Sequence, residues 1–260
     1  PLENLYQNIC IDDQAFENIL DLFSRYSWNL DDTPGGSDDE INPDVLGYIF
    51  EKYINQKAFG AYYTRPEITE YLCDRTINKW IVERSNQHYP RKQFASISEL
   101  LINLDSPLCQ LLIEDILPQL SILDPACGSG AFLVAAMKTL IGIYSAVIGT
   151  IELRGDSKLK QWLTEVRKSH PSLGYYIKKR IISDNLYGVD IMEEATEIAK
   201  LRLFLALVAA AQSVTELEPL PNIDFNIMSG NSLIGLIRVD EKSFNLMQTL
   251  TAQNYQTILA

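Results

Sequence analysis

The 260-residue sequence predicts an α/β chain: a partial Rossmann-like parallel sheet with an amino-terminal helical extension. Three observations carry this. Short apolar segments alternate with helical stretches from residue 119 onward, and strand–helix–strand–helix–strand order implies parallel pairing with right-handed crossovers. The string "LDPACGSGAF" (123–132) reads as a strand entering a glycine turn and then a helix. The first 58 residues, by contrast, hold apolar residues at helical spacing and no strand pattern.

Residues 1–30 are expected to be helical, with Leu5, Ile9, Phe16, Ile19, Leu20 and Phe23 apolar. The stretch "DDTPGGSDDE" (31–40), with proline, two glycines and five acids, is an exposed loop. A helix restarts at "INPDVLGYIFEKYIN", where Asn42 suits the N-cap and Pro43 the first turn, and Val45, Leu46, Ile49, Phe50 and Tyr53 form the expected buried stripe. Thr64 and Glu67 have capping-box spacing, with Tyr63 and Ile68 as a staple, and open a helix expected from about Arg65 to Glu83. Residues 85–96 are polar loop, and 97–117 are helical with a break near Pro107.

The α/β part follows. "LSILD" (120–124) is the first strand, Ala131–Tyr144 a helix, "NLYGVDI" (185–191) the second strand and Met192–Gln212 a long helix. Its leading Glu193 and Glu194 suit the helix dipole. A third strand lies in "NIDFNIMSGNSLIG" (222–235). The segment of about 145–182, rich in Lys and Arg, reads as a helical insertion. The expected division is thus a helical extension over 1–58, a core over 59–240 and the start of a further helix over 241–260.

Composition bounds the function. At 47% hydrophobic and 22% charged, the chain can bury a substantial core. No run is read as reaching a membrane span, the longest apolar stretch being taken at Leu203–Ala211, and no secretory signal is visible. The expectation is a cytoplasmic protein with no membrane contact. Because it opens on Pro1 rather than Met, it is expected to be processed or cut from something longer. Cys10, Cys73, Cys109 and Cys127 form no C-x-x-C pair and have no ligand spacing with His88 or His170, which argues against zinc. A formal charge of −12 lacks the basic footprint of a DNA-binding face.

The glycine turn could serve a phosphate, a metal, a thiol reaction or a methyl-donor cofactor. The dinucleotide fingerprint fits at Gly128 and Gly130 but fails at Leu133, and Asp190 lies 60 residues beyond Gly130 rather than about 20. Cys127 has no nearby histidine in sequence to act as base, so it reads as a small turn residue. The turn also begins with an acid. A carboxylate repels a phosphate and attracts an ammonium. S-adenosylmethionine carries such an ammonium. Asp124 would meet it, and the turn backbone at Ala126, Gly128 and Gly130 would approach it closely. Asp190 would take the ribose hydroxyls, Ile191 would touch the adenine and Asn231 would pair with its edge.

"AYYTRPEITEYL", "LDPACGSGAFL", "GVDI" and "SGNSLIG", in that order, resemble the amino-terminal cofactor half of the gamma-class adenine-N6 DNA methyltransferases. The similarity extends to the large chains that fuse restriction with modification (type IIG) and to phage-defence methyltransferases. It covers roughly residues 42–236. It implies a methyltransferase fold, S-adenosylmethionine as cofactor and DNA as substrate, met through regions outside this chain. It also implies that Tyr63 and Thr64 lie over the methionine part of the cofactor. The family's Asn-Pro-Pro-aromatic motif, which holds a flipped adenine, does not occur here; "NPDV" at 42–45 lacks the second proline and the aromatic. No catalytic residue is therefore assigned, and the chain alone is expected to be inactive. The rival readings are an N4-cytosine or other methyltransferase module and a non-catalytic cofactor-binding domain.

Overall fold

In the computed structural model the described residues are 12–28, 40–52, 64–89, 92–211 and 216–234. The sheet has three parallel strands in the order β3-β4-β5: β3 (Ile122–Asp124), β4 (Leu186–Asp190) and β5 (Ile227–Ser229). Asp124 stands opposite Gly188, and Asp190 opposite Ser229. A two-residue parallel pair, β1 (Ser27–Trp28) with β2 (Glu40–Ile41), lies outside this sheet.

Of the helix expected over residues 1–30, the described part is helical at Asp13–Ser24 and a strand at Ser27–Trp28, and Leu5 and Ile9 lie outside the described residues. Asp12 caps α1 (Asp13–Ser24) by accepting from the Gln14 N–H. The apolar residues of α1 are not buried: Phe16, Ile19, Leu20 and Phe23 are all exposed. Next come α2 (Asp44–Phe50), α3 (Pro66–Cys73) and, after a π-helical turn at Asp74–Asn78, α4 (Lys79–His88). α5 (Ile97–Ile102) and α6 (Ser106–Leu111) are separated by a break at 103–105. There Asp105 caps α6, so Pro107 sits in a first turn, where its missing N–H costs nothing. A π-helical turn (Leu112–Ile116) and a short α7 (Leu117–Gln119) lead into β3.

The central element is α8 (Ala131–Arg154), which runs ten residues past the expected end at Tyr144. Leu133, Val134, Met137, Leu140, Ile143, Tyr144, Val147 and Ile151 are all buried, nearly around its circumference, between the sheet and helices from both sides of it in sequence. The helix also corrects the expectation about apolar runs. It is long and apolar enough to cross a membrane by length and composition, with 56% of the relevant window buried inside the protein. Burial against neighbours on several sides is what a central core helix requires.

α9 (Ser157–Ser169) is capped by Asp156 and buries Leu159, Leu163 and Val166 on one face. α10 (Leu173–Arg180), capped by Ser172, passes through a π-helical turn (Ile181–Asn185) into β4. The residues read as a basic insertion are therefore the end of α8 together with α9 and α10. Their charges are largely engaged. Lys158 pairs with Glu114, Arg167 with Glu152, Lys179 with Glu218 and Arg180 with Asp184, and the Lys178 ammonium donates to the Ala206 carbonyl. α11 (Glu193–Val208) packs on β4, β5 and α2. Buried Asn185 donates to the Leu117 and Leu120 carbonyls, and Asn226 to those of Ser183 and Leu186, so two amides hold the entry ends of the strands together.

Two expectations near the amino terminus change. α2 does not bury the Val45/Ile49 stripe: both are exposed, and the inward residues are Gly47, Phe50 and Glu51, with Asp44 half-buried. The helix turns its polar face inward because a buried arginine is waiting there, as described below. Thr64 does not cap α3 either. Arg65 occupies the cap position without a side-chain bond, and Pro66 takes the first helical position, which its fixed φ suits. Tyr53 and Tyr63 lie outside the described residues, and Ile68, the other half of the expected staple, is exposed.

Candidate functional site

β3 ends at Asp124, and the chain then makes the tight turn 125–130 before entering α8. Two residues have left-handed backbones, Gly128 at φ +50° and Gly130 at φ +86°, which glycine adopts without steric cost. Space as well as dihedral selects glycine at 130: a Cβ there would lie 3.0 Å from the Ala199 Cβ and 3.2 Å from its Cα. Gly188 in β4 is selected by space alone, because a Cβ would lie 3.0 Å from both the Cys127 sulfur and Leu133. The "GVDI" glycine thus lets the strand, the turn and α8 pack closely.

Each backbone N–H from 126 to 130 has a protein acceptor. Ala126 donates to Asp124 Oδ1 (3.1 Å), Cys127 to the Val189 carbonyl (2.9 Å) and Gly128 to Asp190 Oδ2 (2.8 Å). Ser129 donates to Glu51 Oε1 (3.2 Å) and Gly130 to the Cys127 carbonyl (2.8 Å). Three of the five acceptors are carboxylates from three separate parts of the chain. A turn that seats a phosphate presents its N–H groups to the ligand. Here they point to acids and carbonyls of the protein.

Asp124 Oδ2 is buried with no hydrogen-bond partner in the protein. Burial raises the Asp124 carboxyl above its ordinary range; the Ala126 N–H opposes this and the charge of Asp190 adds to it. Asp190 lies at the next strand end. Its Oδ1 accepts from the Met192 N–H (3.0 Å), its Oδ2 holds Gly128, and its carbonyl accepts from Gly230 (2.7 Å). Ile191 is 72% exposed beside it. Asn231 is an exposed turn residue whose Oδ1 accepts from the Leu233 N–H (3.0 Å). Ala126 is exposed at the mouth of the turn. Asp124, Ala126, Gly128, Gly130, Asp190 and Ile191 are therefore neighbours in space, with Asn231 one residue past the Gly230–Asp190 bond. Thr64, with Asp44, Ala131, Lys138 and Arg202, lines a small cavity of about 60 Å³ beside the start of α8. Tyr63 lies outside the described residues.

Cys127 is buried and its thiol is pushed up to about 12, first by burial and then by the charges of Asp124 and Asp190. A thiol so far from ionisation is not a nucleophile. Among the described residues no group of three or more His, Cys, Asp or Glu could hold a metal.

The sequence reading missed the groups that grip the turn from outside. Arg202 on α11 is 1% exposed. One terminal nitrogen donates to the Ser129 carbonyl (2.6 Å) and hydroxyl (3.3 Å), and the other to Asp44 (2.5 Å). Asp44 also meets Lys138 at 3.4 Å. Gly47 lies against the guanidinium, where a Cβ would come within 2.4 Å. Asp44, Gly47 and Glu51 share one face of a helical stretch by their spacing. A polar stripe ending in a buried glutamate, opposite a lone arginine inside an apolar helix, was the available signal.

The profile of "MmeI, DNA-methyltransferase domain" matches residues 104–234, half of the chain, including all three strands of the sheet and the glycine turn. The chain is 36% identical over 254 residues to RM.MjaORFECS2P of Methanocaldococcus jannaschii, named as a proposed type II restriction enzyme and methyltransferase. That alignment covers 90% of this chain and 20% of the relative. It is 26% identical over 201 residues to the type II restriction enzyme and methyltransferase RM.Eco57I of Escherichia coli, covering 75% of this chain and 18% of the relative. The chain thus spans about a fifth of the length of these curated relatives. With strands, turn and intervening helices all inside the matched region, the chain belongs to the MmeI DNA-methyltransferase domain family.

Proposed function

We propose that this chain is the S-adenosylmethionine-binding part of a site-specific DNA adenine-N6 methyltransferase of a restriction-modification or related phage-defence system. The observation that carries the reading is the closed row of N–H groups in the glycine turn. With every N–H from Ala126 to Gly130 donated inside the protein, and one buried Asp124 oxygen left over, the turn favours a cation over a phosphate. This disfavours a nicotinamide dinucleotide and suits a ligand with an ammonium and a sulfonium. When bound, S-adenosylmethionine supplies a methyl group on a positively charged sulfur, ready for transfer to a nucleophile.

The chain's own residues divide the work. Asp124 Oδ2 receives the ammonium. Asp190 uses one lone pair on each oxygen for the backbone and keeps others for the ribose hydroxyls. Ile191 offers an apolar surface to the adenine. Asn231, its oxygen engaged in its own turn, keeps its amide hydrogens for the adenine edge. The resemblance assigns Thr64 and Tyr63 to the methionine end. Asp190→Ala is expected to weaken S-adenosylmethionine binding by on the order of 1.5–3 kcal/mol, through loss of a charge-assisted bond. Titration calorimetry on both proteins tests this, and equal affinities would remove the ribose role.

The missing Asn-Pro-Pro-aromatic tetrapeptide favours a second statement: alone, this chain binds cofactor without transferring methyl groups. Methyl transfer needs the amine in line with the sulfonium, and orientation of that kind supplies roughly 7–11 kcal/mol. No motif in the sequence supplies the two acceptors that would draw an adenine amine out of conjugation. Tritiated methyl transfer to unmethylated DNA is expected at background level, rising when the rest of the methyltransferase is supplied. Substantial incorporation by this chain alone would overturn the statement. DNA is met through regions outside this chain, in the cytoplasm. A charge of −12 and ion-paired lysines and arginines in α9 and α10 predict no tight duplex binding at physiological salt. Sub-micromolar gel-shift affinity would contradict this.

A further inference from the structure

The glycine turn is held in two halves by different parts of the molecule. Its first half is held by the sheet, through Asp124, the Val189 carbonyl and Asp190. Its second half is held from outside the sheet. Ser129 is gripped at its N–H by Glu51, 78 residues earlier in the chain, and at its carbonyl and hydroxyl by Arg202. Glu51 directly follows α2, is 6% exposed, and would touch a Cβ on Gly128 at 3.0 Å. Its carboxylate therefore packs on one left-handed glycine and binds the amide of the next residue. Arg202 binds Asp44 at the other end of α2, with Gly47 under the guanidinium. α2 is thus docked onto the turn by polar groups at both ends.

We propose that Glu51 is a positioning residue for the cofactor site, holding the Gly128–Ser129 segment in the shape that receives the methionine end. The proposal rests on the S-adenosylmethionine reading above. A buried carboxylate is costly unless its acceptors are used, and a turn with two left-handed residues needs external ties to hold one geometry. Loss of the tie leaves the ligand to order the turn on binding, which lowers affinity without removing any ligand contact.

The experiment compares wild type with Glu51→Gln, which keeps an acceptor oxygen, and Glu51→Ala, which does not. Leu163→Ala, at a buried position of α9 away from the turn, serves as a control for general destabilisation. Amide hydrogen exchange in the absence of ligand reads the tie directly. Ser129 is expected to be protected in wild type and Glu51→Gln, and to lose protection in Glu51→Ala but not in Leu163→Ala. Calorimetric titration with S-adenosylmethionine is expected to show about tenfold weaker binding for Glu51→Ala, near-wild-type binding for Glu51→Gln and an unchanged affinity for Leu163→Ala. Affinity that follows thermal stability across all four proteins would make Glu51 merely structural and overturn the proposal, as would unchanged Ser129 exchange in Glu51→Ala. Failure of wild type to bind S-adenosylmethionine would overturn the cofactor reading and, with it, the ligand half of the proposal, while the exchange measurement would still decide whether the tie exists.

Discussion

Arg202→Met is expected to lower unfolding stability by about 3 kcal/mol, read by urea denaturation. Removing one member of a buried ion pair typically costs ~3–5 kcal/mol, because the partner charge is left uncompensated. The lower end applies because Asp44 is partly exposed and retains Lys138 at 3.4 Å. Methionine restores much of the apolar volume, so the loss reports the polar contacts to Asp44 and to the Ser129 carbonyl rather than a cavity. Adding Asp44→Asn to Arg202→Met is expected to cost little further, because the charge pair is already broken. The double-mutant cycle should therefore give a coupling energy of about 1 kcal/mol or more. Additive losses would mean that the two residues act independently, contrary to their 2.5 Å contact.

Gly130→Ala is the second large effect, expected at about 2–5 kcal/mol. Two costs combine: a left-handed backbone penalises an L-residue by roughly 1–2 kcal/mol, and forcing a methyl into a packed contact adds roughly 1–3 kcal/mol. The methyl would meet Ala199 at its Cβ and backbone, so no flexible side-chain end can give way. Gly142, within α8, provides the opposite case. Nothing lies within 4 Å of a Cβ there, so Gly142→Ala is expected to stabilise by roughly 0.5–1 kcal/mol through backbone entropy. Thermal unfolding of both variants checks the predicted difference in sign. A neutral Gly130→Ala would mean that α11 can move away from the turn without penalty.

The chain's local chemistry was readable from the sequence because it is written in neighbouring residues. β3, β4 and β5 fall inside the expected strand segments, and α8 and α11 start within a residue of the expected positions. Turn glycines, strand-end acids and apolar runs act over a few residues, so their order along the chain suffices to read them. Helix ends were less readable. α8 continues past Tyr144 to Arg154 because tertiary burial of Val147, Ile148 and Ile151 sustains it, and the cap of α3 falls at Arg65, one residue after the expected Thr64, because Pro66 takes the first position. The inward face of α2 was read only in part: Phe50 is buried as expected, but Val45 and Ile49 are exposed, and Gly47 and Glu51 are buried with Asp44 half-buried. Hydrophobic periodicity assumes an apolar neighbour, whereas α2 meets a guanidinium. The three carboxylates at the glycine turn come from residues 51, 124 and 190, and the arginine on its carbonyl from 202. The sequence alone determined that a strand, a glycine turn and a helix would present acids at a strand end. Only the tertiary structure decided which acids bind the turn's own backbone and which one keeps an oxygen to spare, because hydrogen bonds between residues 78 and 158 positions apart depend on how the helices pack and leave no periodic trace in the chain.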